Sequence, residues 1–240
     1  MKIAYLAPLL ALTALLVLLV SGPGVHLGLW AFPIGFQLLK WAAYAGLAGA
    51  FAGVVFLAIP PTRRRHAKVL AAAIVVGLGI AWIPWHALQN ARLAPGIHDI
   101  STDTLDPPPF VAVLPLRISG KAVNSTVYGG SAVAAQQLKA YVDIRTLDLQ
   151  IPPADAFNKA LSAARAMGWA IDATVPADGR IEATATTLWF AFKDDIVVRI
   201  RPNASGSRID VRSESRVGGS DVGTNAARIR SYLNRLRSET

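Results

Sequence analysis

The stretch that decides the fold is RIDVRSESR, residues 208–216, in which charged side chains alternate with apolar or small ones. Successive side chains of a β-strand point to opposite faces, so Ile209 and Val211 share one face and the charged residues share the other. Residues 195–201 alternate in the same way. Together the two stretches predict a sheet with one apolar face, packed under helices, and one face striped with charge.

Outward from this pair of strands, the pattern predicts the order β-α-β-β-β-β-α. Short connections between consecutive strands indicate an antiparallel sheet, and two amphipathic helices can cover one of its faces, which gives a two-layer α+β sandwich over residues 132–240. Gly168 is expected at the end of the first helix, and Thr224 or Asn225 is expected to cap the second. The predicted strands are 146–151, 169–175, 180–190, 195–201 and 208–217, and the predicted helices are 153–167 and 224–236.

Residues 91–131, ahead of this domain, are rich in proline and turn-forming residues and are predicted to form an extended lead-in. One short strand is predicted there, at residues 111–114.

The charge of the chain is unevenly distributed. All 15 acidic residues follow position 90, whereas the first 90 residues carry six of the 24 basic residues. The remainder therefore holds 18 basic against 15 acidic residues, and the overall charge of +9 is no evidence for nucleic-acid binding. With no cysteine, the chain has no disulfide, thiolate metal site or cysteine nucleophile. No cofactor is indicated.

Three apolar runs in residues 1–90 are long enough to cross a bilayer, at about residues 3–20, 38–59 and 69–88. We interpret the first as an uncleaved anchor, since no small-residue cleavage site follows it; a signal peptide is the alternative. Residues 63–68, between the second and third runs, form the densest basic cluster and should stay cytoplasmic. The N-terminus is then cytoplasmic, and the C-terminal domain faces the periplasm of a cell with two membranes.

Several clusters of polar residues are candidate binding sites. His98, Asp99 and Asp103 could bind a cation or act in catalysis, although their spacing matches no known metal loop and also suits backbone capping. Asp221 and Asn225 lie at the start of the last helix, where they could help to bind an anion or simply cap the helix. The remaining candidates are a predicted hairpin tip, Lys193, Asp194 and Asp195, and arginines of the charged face, Arg199, Arg201, Arg212 and Arg216.

The hairpin tip is expected to be a turn with a charge pair exposed to solvent. The alternative is a recognition site that presents nearby aromatic residues to lipid or to a partner. For the charged face, we expect a solvated surface with opposite charges paired across strands. A surface for an anionic ligand or a protein partner is the alternative.

Three separated blocks of sequence, residues 96–110, 180–195 and 211–230, resemble the bacterial domain of unknown function 1499. The resemblance extends over about residues 95–237 and includes members with membrane helices ahead of the domain. It implies an envelope setting, but it brings no catalytic residue with it.

Two functions remain open at this point. The first is a non-enzymatic one, in which a domain anchored in the inner membrane binds an envelope protein or an amphiphilic ligand. The second is an envelope hydrolase or metal-dependent enzyme that uses the segment from His98 to Asp103. Convergence of those residues with Asp194, Asp195 or Asp221 in one concave site would favour the enzyme.

Overall fold

A computed structural model describes residues 2–238, which divide into two units. The helical unit contains the chain up to Asn90 together with Leu188–Ala191. The sheet unit contains Ala91–Thr187 and the chain from Phe192 onward.

Three helical stretches of the N-terminal region, Ile3–His26, Phe32–Ala58 and Pro60–Leu93, are long and apolar enough to cross a membrane, judged by length and composition. Many of their large apolar side chains are exposed, among them Leu12, Phe51 and Val75. The basic cluster at residues 63–68, between the second and third apolar runs, lies in the first turns of the third long helix. The helices are α1, Leu6–Ser21; α2, Pro23–His26; α3, Phe32–Ala58; and α4, Pro60–Leu93.

Small residues allow these helices to approach closely. A Cβ atom on Gly46 would lie 2.7 Å from the carbonyl oxygen of Gly77, so α3 and α4 meet where neither has a side chain. A Cβ on Gly49 would lie 3.1 Å from the carbonyl oxygen of Ala7, in α1. Close backbone contact of this kind is typical of helices that pack in membranes. In the same unit, the indole N–H of Trp189 donates to Ser21 Oγ at 3.3 Å.

The sheet unit contains a six-stranded antiparallel sheet in the order β1-β6-β5-β4-β3, with β2 also paired to β6. The predicted order β-α-β-β-β-β-α is confirmed for residues 147–238. The fourth element of that order, β4, ends at Thr186 rather than near Phe190. The strands are β1, Asp99–Ser101; β2, Leu147–Leu149; β3, Ala170–Val175; β4, Arg180–Thr186; β5, Lys193–Asn203; and β6, Gly206–Ser215.

The apolar face of the sheet packs against two helices, α7 (Pro153–Ala166) and α8 (Thr224–Ser238). Ile209 and Val211 of β6 are fully buried in this core, as the alternation of residues 208–216 predicts. Tyr232 of α8 stacks on Trp169 with ring centroids 4.9 Å apart, and its hydroxyl donates to the carbonyl of Ala160 at 2.8 Å. Gly168, at φ 72°, follows the end of α7 in the left-handed conformation that favours glycine.

β1 and β2 share one edge of β6. β1 pairs with residues 212–214 and β2 with residues 207–209, so they form two halves of an edge strand that is interrupted by residues 102–146. This excursion contains α5, Leu114–Ser119, and α6, Gly130–Ala140. Within the predicted lead-in, residues 114–119 are helical rather than extended, and residues 111–114 do not form a strand.

Candidate functional site

The charged face of the sheet lies beneath the first part of the excursion. Glu182 of β4 is fully buried, and its carboxylate accepts the backbone N–H groups of Val111, Ala112 and Val113 at 3.0–3.1 Å. Arg180 also donates to this carboxylate. Three converging amides satisfy a buried anion well, so Glu182 fixes the chain immediately before α5.

Arg117 of α5 extends its side chain into a cluster of buried ions. It donates to Asp195 of β5 at 2.6 Å and to Glu214 of β6 at 3.1 Å. Asp195 also accepts from Arg216 at 2.7 Å. All four side chains are at most 6% exposed, so the cluster is shielded from solvent.

Two further arginines hold the start of the excursion. Arg212 donates to both oxygens of Asp99 at 2.8–2.9 Å, and its guanidinium lies over the rings of Phe110 and Tyr128. Arg199 contacts the carboxylates of Asp210, Asp106 and Asp103 at 2.9, 3.0 and 3.3 Å, respectively. Arg201 is half exposed and pairs with Asp106 at 2.9 Å.

The prediction of a solvated charged face is therefore wrong. The central arginines and carboxylates of this face are buried, and each arginine contacts at least one carboxylate. Removing charges from water costs several kcal/mol for each ion, so a buried charge persists only where partners surround it. Arg199, Arg212 and Arg216 are thus occupied by carboxylates of the same chain.

The acidic candidates do not converge in one concave site. Asp99 belongs to the pair with Arg212, whereas Asp103 contacts Arg199 and Arg208. One oxygen of Asp103 accepts the backbone N–H groups of Leu105 and Asp106 at 3.0–3.1 Å, the geometry of a capping turn. Within residues 2–238, no three histidine or acidic side chains are grouped in a way that could hold a metal ion.

The predicted hairpin tip at Lys193, Asp194 and Asp195 is also wrong, because all three residues lie within β5. Asp194 points to the helical side of the sheet, where it accepts from Arg228 of α8 at 2.6 Å. Asp195 belongs to the buried cluster of Arg117 described above.

Asp221, rather than Thr224, caps the start of α8. Its two oxygens accept the backbone N–H groups of Gly223 and Asn225 at 2.9 and 2.6 Å. The side chain of Asn225 is buried and bonds to Ser213 and to the carbonyl oxygen of His98. Asn225 therefore holds the start of α8 against β6 and against the residue before β1, whereas Asp221 caps the helix.

A cleft of about 380 Å³ opens beside β1. Its polar lining comes from His98, Asp99, Asn124, Ser125 and Gln136. Its apolar lining comes from Ile97, Val123, Val127 and Val133, with glycines 96, 129 and 219 at the remaining positions. Of the sequence candidates, this cleft brings together only His98 and Asp99.

His98 connects this cleft to the buried ions. Its Nδ1 lies 4.0 Å from Glu214 Oε1, and Glu214 is fully buried. His98 Nδ1 and Glu214 Oε2 have no hydrogen-bond partner among the residues that the structure describes. Burial raises the pKa of Glu214 from its ordinary value of 4.5 to about 8; Arg117 opposes this shift and Asp99 reinforces it. This shift favours the protonated form of Glu214 at neutral pH.

We expect Glu214 to make stability depend on pH. Between about pH 4.5 and pH 8, the folded protein keeps a proton on Glu214 that the unfolded chain has lost. Its contribution to stability is therefore complete below pH 4.5, falls as the pH rises through this window, and is lost above pH 8. Glu214→Gln should weaken the fall in melting temperature across the window. Exposed Asp148→Asn is the control, and an unchanged slope in Glu214→Gln would contradict the assignment.

The sequence does not single out Arg117 as a site residue, and it does not indicate that Glu182 and Glu214 are buried. Arg117 is the one arginine of an otherwise apolar segment, and such an isolated charge could have indicated a buried partner. The alternation of β6 identified the side of the sheet on which Glu214 lies. It gave no sign that residues 108–127 cover that side.

The sheet unit is thus an antiparallel α+β domain with an internal ionic layer and an open cleft, in a chain that also carries three long apolar helices. Residues 99–236 match the model of a family described as "Protein of unknown function (DUF1499)". The match covers more than half of the chain, so the protein belongs to the DUF1499 family. No curated protein matches the chain significantly.

Proposed function

We propose that the protein is anchored in the bacterial inner membrane by α1, α3 and α4, and that its periplasmic sheet domain has a binding role in the cell envelope. The length and composition of these helices support the anchor, as do the large apolar side chains that they expose. The basic residues 63–68 favour a cytoplasmic location for the start of α4. The lack of lysine and arginine in residues 21–37 favours the opposite side for that segment.

The observation that carries the binding role is the cleft beside β1. A concave site with an apolar wall and a few hydrogen-bonding groups is typical of a binding site for a small ligand. The apolar wall of Ile97, Val127 and Val133 suits a hydrocarbon group, and the side chains of His98, Ser125 and Gln136 suit a polar head. We therefore favour an amphiphilic ligand over an envelope protein as the partner.

An envelope hydrolase built on residues 98–103 is less well supported. Catalytic carboxylates need to be free to exchange protons or to reach a substrate, whereas Asp99 and Asp103 are each paired with arginine. One feature still favours this alternative: the buried carboxyl group of Glu214 lies 4.0 Å from the imidazole of His98, which lines the cleft.

The cleft can be filled without disturbing the ionic layer. A Cβ atom on Gly219 would meet no heavy atom within 4 Å, so Gly219→Phe should place a ring in the cleft. Full-length protein in mild detergent is incubated with an envelope lipid extract and analysed by native mass spectrometry. We expect a bound amphiphile on the wild type and on Ala177→Phe, an exposed control, and its loss from Gly219→Phe. Equal binding by all three proteins, or no binding by the wild type, would contradict the proposal.

A further inference from the structure

We propose that the exposed apolar residues of the excursion dock on the surface of the lipid bilayer that anchors the chain. The surface consists of residues 114–127, from the start of α5 to the rim of the cleft, and is called the docking segment below. This inference rests on the proposed membrane anchoring, and the segment shares Val123 and Val127 with the lining of the cleft.

The docking segment exposes large apolar side chains although it belongs to a folded domain. Ile118 and Val123 are each 81% exposed and Val127 is 80% exposed, while Leu114 and Leu116 are about two-fifths exposed. Single exposed apolar residues are ordinary on a protein surface, whereas contiguous groups of them mark interaction surfaces. The concentration of five in 14 residues of chain is the reason that we consider this segment.

The charge of this region suits a lipid surface. Residues 107–142 contain no aspartate or glutamate, although the sheet unit as a whole has nearly balanced charge. The basic residues of this stretch are Arg117, Lys121 and Lys139. Arg117 is buried in its ion pairs, whereas both lysines are exposed. Interfacial binding to bilayers combines buried apolar surface with attraction of lysine to anionic lipid, and it disfavours acidic residues.

The docking segment lies at the end of the sheet where the chain enters the domain. The backbone N–H groups of Val123 and Asn124 donate to the carbonyl oxygen of Arg216, and Ser215 N–H donates to the carbonyl oxygen of His98. Five residues separate Leu93, the last residue of α4, from Asp99, the first of β1. A chain of that length spans at most about 20 Å.

Two residues of the segment, Arg117 and Asn124, anchor its backbone to the sheet, so the segment is folded before it makes contact. Arg117 is fixed by Asp195 and Glu214, and the side-chain amide of Asn124 donates to the carbonyl oxygens of Ser215 and Gly218 at 2.8–2.9 Å. Preorganised side chains lose little conformational entropy on binding. The buried ionic layer thus positions the surface that we assign to lipid contact.

The lack of cysteine in the chain allows a direct test. Single cysteines replace Ile118 or Val123, with Ser205→Cys in the β5–β6 turn as the control, and each is labelled with an environment-sensitive dye. The full-length variants are reconstituted into vesicles of phosphatidylethanolamine and phosphatidylglycerol. We expect dyes at positions 118 and 123 to shift their emission to the blue and to be quenched by spin-labelled lipid, while the dye at position 205 is unaffected.

Dyes at positions 118 and 123 that remain as accessible to water as the dye at 205 would overturn the inference. Dye-to-dye contact between copies, without quenching by lipid, would overturn it in favour of an interface between two copies. Alkaline extraction of the same vesicles separates this failure from failure of the proposed function. Protein that resists extraction but shows no quenching is anchored without docking, whereas extracted protein contradicts the anchoring itself.

Discussion

Asp195→Ala is expected to unfold the sheet domain or to lower its free energy of unfolding by about 3–5 kcal/mol, the cost of breaking a buried ion pair. Asp195 is fully buried and accepts from both Arg117 and Arg216. Its removal leaves two guanidinium groups in a region that water does not reach.

The chain offers a matched control for this variant. Both carboxylate oxygens of Asp143 accept hydrogen bonds from Arg230. Unlike the buried pairs, these side chains are exposed, Asp143 by 52% and Arg230 by 39%. Asp143→Ala should cost about 0–1 kcal/mol, because exposed pairs contribute little. Pulse proteolysis of the full-length protein in mild detergent measures both values. Equal losses in the two variants would mean that the ionic layer is not sealed from solvent.

Ile209→Asp should also unfold the sheet domain, for a different physical reason. Ile209 is fully buried on the opposite, apolar face of β6, beneath α7 and α8. A carboxylate at this position has no partner, and an unpaired buried charge is among the costliest of substitutions. We expect loss of the cooperative thermal transition of the domain, monitored by near-ultraviolet circular dichroism.

Ile209→Val keeps the apolar character of the site and serves as the control. It removes one methylene group and should cost about 0.5–1.5 kcal/mol. If Ile209→Asp melted at the temperature of Ile209→Val, the assignment of this face to the core would be wrong.

The helical side of the sheet domain could be predicted because its signals are local. Period-two alternation in β6 places Ile209 and Val211 on the core face, and the spacing of Ile229 and Leu233 places them on the buried side of α8. Gly168 marks the end of α7 through its backbone conformation. Each of these inferences needs only a few neighbouring residues.

The buried ionic layer could not be predicted from the same kind of signal. Arg212 and Glu214 alternate with small residues as they would on a solvated strand, and burial does not alter that pattern. What decides the outcome is contact over a long sequence separation, as between Arg117 and Glu214. Residues 108–127, which cover this face, have no sustained hydrophobic periodicity that would reveal their position.

β1 was missed because it is only three residues long and depends on partners far along the chain. It pairs with β6, and the side chain of Gln137 bonds to both the N–H and the carbonyl oxygen of Ser101 at its outer edge. A side chain of α6 thus takes the place of a neighbouring strand. Nothing in the sequence around Ser101 indicates this arrangement.

The side of the membrane on which the sheet domain lies is the most direct test of the account. A reporter that is active only in the periplasm is fused after Thr240 in one strain and inserted near Thr62, just before the basic residues 63–68, in another. We predict activity in the first strain and silence in the second, because basic segments stay on the cytoplasmic side. Activity near Thr62 together with silence after Thr240 would contradict the proposed orientation and, with it, a periplasmic binding role.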